Sequence, residues 1–280
     1  MDTFYPWKAK SLNFLKYAFV ITVTLVTLFP FYWMILTSLR RPDMLYSNEL
    51  FSLKGLTFGH YIEVWTRSQF PKNVANSVLV STVSTLFCIA LSCLSGYALS
   101  RFKFRWKKLY DRGLLLVYMF PTVVVAIPLF IAMRTYGLLD TYFSLIVAYT
   151  TFSLPFCIWM LRSFFDGVPT DLEEAAMIDG CSRLQILCRI VLPVALPGIA
   201  AVAIFTFLNA WKEFLFAQTF IQSSGKFTIP VGLRMFQQQY DARFDLIMSA
   251  TTISTIPIVV FFFFMERFLV EGLTAGATKG

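Results

Sequence analysis

Six long apolar runs constrain this chain more than any other feature. They cover roughly 17–39, 74–99, 113–133, 141–161, 197–220 and 246–265. Each holds about 20 or more residues with few charges, enough to cross a hydrocarbon core of about 30 Å. Inside lipid every backbone group must find its partner within the segment, so the runs are expected to be helices. Composition agrees: 57% of the 280 residues are hydrophobic, 18% are aromatic and only 14% are charged, where a soluble domain carries about 25% charged residues. The first run follows Lys8, Lys10 and Lys16. It is too long for a signal h-region and lacks a small-x-small cleavage site, so it reads as a retained span.

The net charge of +8 fits loops held on one side of a membrane and requires no nucleic acid. With six spans, fourteen lysines and arginines fall on the side of the termini and nine on the other. The short segment RFKFRWKKLYDR alone holds Arg101, Lys103, Arg105, Lys107, Lys108 and Arg112. Both termini are therefore expected in the cytoplasm, with the segment between spans four and five. The cysteines, 88, 93, 157, 181 and 188, avoid the external loops and have no zinc spacing, and His60 is the only histidine. No disulfide framework, metal site or bound cofactor is expected, and the cysteines read as small packing residues.

Between spans four and five (coupling segment 166–196) stands a polar stretch, VPTDLEEAAMIDG. Thr170 as N-cap and Glu173 three residues on predict a capping box. Asp171, Glu173 and Glu174 place negative charge at the positive end of the helix dipole, and Gly180 supplies a left-handed stop. The expected helix is about nine residues, too short to stand alone in water. Leu172, Ala175, Ala176 and Asp179 share one face by spacing. A second short helix is expected over roughly 183–191, ending at Pro193, with span five starting near Pro197. Spacing alone leaves two readings, a connector packed under its own spans or a docking element.

Read in order, Glu174-Ala175-Ala176, three residues, Gly180, nine residues, Ile190, one residue and Leu192-Pro193 give E-A-A-x3-G-x9-I-x-L-P. This resembles, at every position, the signature of permease subunits of binding-protein-dependent ABC importers. FPFYWMILTSLR, NAWKEFLFA and FLVEGLTAGATKG are similar to the carbohydrate-type subfamily and, within it, to the six-span maltose-type permease. The resemblance implies an all-α membrane protein of the type I importer permease kind, one permease domain over 1–280, in a bacterial inner membrane. It implies that the polar helix is a coupling helix, with Glu173, Glu174, Ala175, Ala176, Asp179, Gly180, Ile190, Leu192 and Pro193 engaging an ATPase. The implied partners are a second permease in a heterodimer, two ABC ATPase subunits carrying ATP-Mg, and a periplasmic or lipid-anchored solute-binding protein. The chain itself is then no enzyme; it contains no G-x-x-x-x-G-K-[ST] loop. LSGYA at 94–98 lies within an apolar run and reads as helix packing.

Ser77, Ser81, Thr85, Cys88, Ser92, Gly96 and Ser100 form a row of small residues along one face of span two, which suits close helix approach. Its partner, the chain's own spans or the second permease, is left open. Pro121, Pro128, Pro155 and Pro257 are candidate kinks. Asn209, Trp211, Lys212 and Glu213 interrupt span five. They are candidates for the translocation pathway, with snorkelling from the outer third of the span as the alternative. The subfamily usually shows asparagine where Lys212 stands, a departure that hints at a polar or anionic solute. Residues 40–72 and 221–245 are expected as external loops. In the second, the resemblance implies contact with the binding protein, for which Gln237, Gln238, Gln239 and Tyr240 are candidates; hydrogen bonding to a sugar and a solvated turn are the alternatives. A self-sufficient secondary transporter is the rival class, but no internal repeat and only one charged intramembrane pair support it.

Overall fold

The computed structural model describes residues 6–44, 55–240 and 243–277; Lys279, the last three residues of the C-terminal motif and part of each external loop lie outside them. In chain order the helices are α1 (Pro6–Leu39), α2 (Gly59–Arg67), α3 (Phe70–Arg101), α4 (Lys107–Tyr118), α5 (Thr122–Thr135), α6 (Tyr142–Asp166), α7 (Thr170–Ile178), α8 (Arg183–Ile186), α9 (Leu192–Val194), α10 (Leu196–Lys212), α11 (Leu215–Phe220), α12 (Ile229–Gln239) and α13 (Phe244–Ala277). A π turn over Leu187–Val191 joins α8 to α9. The architecture is all-α, as expected, and the described residues contain no strand beyond an isolated bridge between Arg40 and Leu56.

Four helices, α1, α3, α6 and α13, are long and apolar enough to cross a membrane unbroken. The other two apolar runs are bent pairs: α4 meets α5 at 95°, and the Arg183–Val194 segment meets α10 at 82°. Span three is therefore not the straight helix expected over 113–133. Of the candidate proline kinks, Pro121 sits at this break with an extended backbone, and its ring also disfavours a helical conformation at Phe120 before it. Pro155 lies inside an uninterrupted α6. Span five is also shorter than expected, since α10 ends at Lys212 rather than near 220.

Contacts divide the chain into two compact units. The first holds residues 1–68 and 236–253. In it the His60 ring, buried, lies 3.0 Å from an Asp245 carboxylate oxygen through Nδ1 and 3.0 Å from the Arg40 carbonyl through Nε2. Arg243 closes on Asp245 at 2.7 Å and on Glu63 at 3.4 Å. The external loop expected over 40–72 thus contains a helix, α2, whose His60 and Val64 turn inward.

The second unit holds residues 69–235 and 254–280. Its centre is the pairing of α3 with α6, with α10 against both. The row of small residues on α3 makes this possible: Ser77, Ser81, Thr85, Cys88 and Ser92 are buried. A Cβ on Gly96 would stand 3.2 Å from the Arg162 backbone nitrogen and 3.4 Å from the Ile158 carbonyl. The row therefore serves the chain's own spans. Cys88 and Cys157 are buried in the same packing, and the Cys157 thiol is 3.4 Å from Thr206 Oγ1.

The far end of α3 anchors the loop after span five. Asn76 Nδ2 donates to the carbonyls of Gly225 (3.0 Å) and Phe227 (2.9 Å), and Ser77 Oγ accepts from the Ile229 nitrogen. Asp140, in a left-handed conformation at φ 57°, accepts from the Ser223 hydroxyl, the Ser223 and Gln222 nitrogens and the Lys226 ammonium. The Ser223 hydroxyl and these other donors hold its carboxyl well below the usual carboxylate range.

Candidate functional site

Two places in the second unit combine polar chemistry with apolar spans. The first is α7. It spans nine residues, as the capping signals indicate, but its cap is not the expected one. Pro169 occupies the N-cap position without a side-chain bond. Glu173 does not fold back on Thr170; it is buried and bound elsewhere. Its Oε1 lies 2.6 Å from Arg101 Nε, and its Oε2 accepts from the Tyr97 hydroxyl at 2.8 Å. In place of the single amide of a capping box, Glu173 makes two side-chain bonds, one of them charge-assisted with a guanidinium 72 residues away in the sequence.

This contact sets the facing of the helix. Glu173 and Ala176 turn inward, Ala176 into a cluster with Tyr97, Phe165, Ile186 and Val191. The face expected from spacing is thereby split. Leu172 (48% exposed), Ala175 and Ile178 (88% exposed) form an outward apolar ridge at i, i+3, i+6, flanked by Glu174 and Asp179. Glu173 and Ala176 are thus not available to a partner. Ile178 was missed, although an isoleucine on a short acidic helix is itself a signal of a covered surface. Ile190 and Leu192 also pack inward, and Pro193 is exposed in α9.

The end of α7 follows the sequence closely. Gly180 has φ +83°. The Cys181 nitrogen donates to the Ala176 carbonyl and Gly180 to that of Met177, at 2.9 and 3.1 Å, the two bonds of a Schellman stop. Ser182 and Gln185 then form a reciprocal capping box for α8; the S-x-x-Q spacing was legible and had been passed over. The second short helix does not stop at Pro193. It widens into the π turn and runs on to Val194, where Pro193, in the first turn of α9, leaves no donor unpaired.

The second place is a cavity of about 390 Å³. Tyr118, Phe152, Phe205 and Phe216 supply ring faces, and Tyr149, Ser153, Asn209, Lys212 and Glu213 supply polar groups. Tyr149 and Ser153 are 7 and 11 residues into α6, about 11 and 17 Å along it. The cavity thus opens about a third to a half of the way along α6 from Tyr142, and Lys212, the last residue of α10, lines it. Glu213 explains the early end of α10: its carboxylate oxygens accept from the Phe216 (2.8 Å) and Ala217 (3.1 Å) nitrogens and cap α11. The carboxylate thus satisfies two of the otherwise unpaired amides in the first turn of α11. Asn209 bonds back to the Phe205 carbonyl at 3.0 Å. Among the described residues Lys212 has no ion-pair partner. Trp211 does not belong to the cavity; it is 4% exposed and stacks on Phe207 at 5.4 Å.

Gln237, Gln238 and Gln239 are exposed in the last turn of α12, and the Tyr240 ring packs 4.5 Å from Phe236. The polar loop expected there is thus largely a helix, with Ile229 and Phe236 buried and seven residues apart.

Comparison with known proteins completes the picture. Residues 67–274 match the family of binding-protein-dependent transport system inner membrane components. The inner membrane ABC transporter permease protein YcjP of Escherichia coli is 37% identical, over 91% of this chain and 92% of that protein. The trehalose/maltose permease MalG of Thermococcus litoralis is 35% identical over 93% and 94%. The sulfoquinovosyl glycerol permease SmoH of Agrobacterium fabrum is 35% identical over 90% and 89%. Among solved structures, a chain of a bacterial ABC transporter that imports alginate superposes with a TM-score of 0.82 at 20% identity, covering 95% of this chain and 99% of that one. The chain therefore belongs to the binding-protein-dependent transport family and is a non-catalytic permease subunit of an ABC importer, whose ATPase is a separate subunit.

Proposed function

We propose that this chain is one half of a permease heterodimer in a bacterial inner membrane, importing a carbohydrate or related polar solute by alternating access. The observation that carries the reading is the two-faced α7. One face is locked to α3 by Glu173, while the other leaves Leu172, Ala175 and Ile178 uncovered beside Glu174. A short helix held this way is a docking element for the ATPase, and two such ATPase subunits bind ATP-Mg. Ala175 allows close approach, and Glu174 meets a basic group. Both termini and α7 lie in the cytoplasm. Ser77 and Arg101 are 24 residues apart on α3, about 36 Å, so the loop held by Asn76 and Ser77 reaches the opposite face. Gln237, Gln238, Gln239 and Tyr240, at and just beyond the end of α12, receive the solute-binding protein. The two units work as one permease domain.

Ring faces mixed with hydroxyl, amide and charged groups suit a sugar, whose C–H faces stack while its hydroxyls bond. Relatives named for trehalose/maltose, diacetylchitobiose and sulfoquinovosyl glycerol support that class. The pathway is tested by cysteines at 209 and 212 in a background lacking the five native thiols. In the assembled transporter both should react with a polar thiol reagent, and at a rate that changes when a non-hydrolysable ATP analogue is added. Trp211→Cys, set against Phe207, should stay unreactive. Equal rates with and without nucleotide, or no labelling at all, would remove the cavity from the pathway.

A further inference from the structure

The contact that fixes α7 is one link of a longer polar chain. Arg101 gives Nε to Glu173 at 2.6 Å, Nη2 to the Val168 carbonyl at 2.9 Å and Nη1 to Ser100 Oγ at 2.8 Å. Ser100 Oγ donates to Asp166 at 2.5 Å. Asp166 lies 3.5 Å from Arg162 Nε, and Arg162 Nη1 is 2.5 Å from Asp111 on α4. Six side chains thus run from α7, through the ends of α3 and α6, to the first half of the bent span three, joined by hydrogen bonds or ion pairs except that Arg162 Nε and Asp166 make only a 3.5 Å ion pair without a hydrogen bond.

The two ends of the chain differ in burial. The Glu173 and Arg101 side chains are 3% and 10% exposed, whereas Asp166 is 47% exposed. Breaking a buried charged pair strands a charge and is far costlier than breaking an exposed one. The Arg101–Glu173 link is therefore the one whose loss costs most, and the Asp166–Arg162 contact the one whose loss costs least. Among the described residues, the side chains bonded to the Glu173 carboxylate are Arg101 and Tyr97.

We propose that Arg101 and Glu173 are positioning residues that key α7 to α3 and, through Asp166 and Arg162, to α4, so that these elements move as one body when the ATPase closes. A push on α7 then reaches the 95° bend between α4 and α5, beside Tyr118 and Thr122 of the cavity. That consequence rests on α7 being the ATPase-docking helix; the keying itself does not.

Spin labels on Lys108→Cys in α4 and Thr170→Cys in α7, in the assembled transporter without native cysteines, report the distance between the elements. One narrow distance peak is expected, at the same position with and without a non-hydrolysable ATP analogue. Glu173→Gln should raise the population outside that peak by about 2- to 30-fold while the ATPase stays bound. Arg101→Lys, which keeps the charge but loses the fork, should fall between wild type and Arg101→Met. Asp111→Asn should loosen α4 alone. A wild-type peak that shifts with nucleotide, or a Glu173→Gln peak as narrow as wild type, would overturn the proposal. If Arg101→Lys scatters the labels as widely as Arg101→Met, the fork geometry rather than the charge makes the joint, and the ion-pair account fails. Failure of ATPase docking on α7 would instead show as normal ATPase retention in Glu174→Lys, with the distance results unchanged.

Discussion

Gly180→Pro should abolish ATP-driven transport while the spans remain inserted. Gly180 stands at φ +83° and donates its N–H to Met177. Proline is locked near −65° and has no N–H to give, so the Schellman stop cannot form. The chain would then leave α7 in a different direction and lose the Cys181–Ala176 bond. Ala176 and Glu173 would leave their seats, and the outward ridge would turn from its partner. Gly180→Ala is the milder probe. Open space surrounds a Cβ there, so only the left-handed backbone is penalised, by about 1–2 kcal/mol. Measured as solute uptake per ATP hydrolysed, the alanine variant should retain part of the coupling and the proline variant none. Equal uptake in proline variant and wild type would return α7 to the role of a passive connector.

The second large effect is expected at Gly96. Its Cβ would already press the backbone of α6 at Arg162 and Ile158, where no side chain can swing aside. Overpacking of this kind costs about 1–3 kcal/mol and more when backbone must move. Gly96→Leu forces α3 and α6 apart along their closest approach, and with them the Cys88, Ser92 and Tyr97 packing. The ratio of folded to unfolded protein falls about ten-fold for each ~1.4 kcal/mol lost, so less assembled transporter should be recovered in mild detergent. Leu94→Ala, at a half-exposed site on the opposite side of α3, should leave recovery close to wild type. A stable, active Gly96→Leu transporter would show that this approach is not required.

That the apolar runs form helices was legible because lipid imposes a length and a composition on them. Gly180 was legible as a stop because its conformation is nearly exclusive to glycine. The bends at Pro121 and Ala195 were not, since an apolar run reports burial in lipid but not its direction. The end of α10 at Lys212 was hidden for another reason: WKEF contains no glycine or proline, and the break is made by Glu213 capping the next helix. The side of α7 that Glu173 takes depended on Arg101, far away in the sequence, so local capping rules chose the wrong partner. The helices in the external segments were readable, by contrast. His60 with Val64, and Ile229 with Phe236, have helical spacing, but the polar residues around them were given more weight.

This chain is expected to move solute only as part of an ATP-driven assembly. The most direct test is solute accumulation in proteoliposomes. Vesicles holding this chain with a second permease and an ATPase, supplied with a saccharide-loaded binding protein and ATP-Mg, should accumulate the saccharide. Vesicles holding this chain alone should neither hydrolyse ATP nor accumulate solute under a proton or sodium gradient. Gradient-driven accumulation by the purified chain alone would contradict the account.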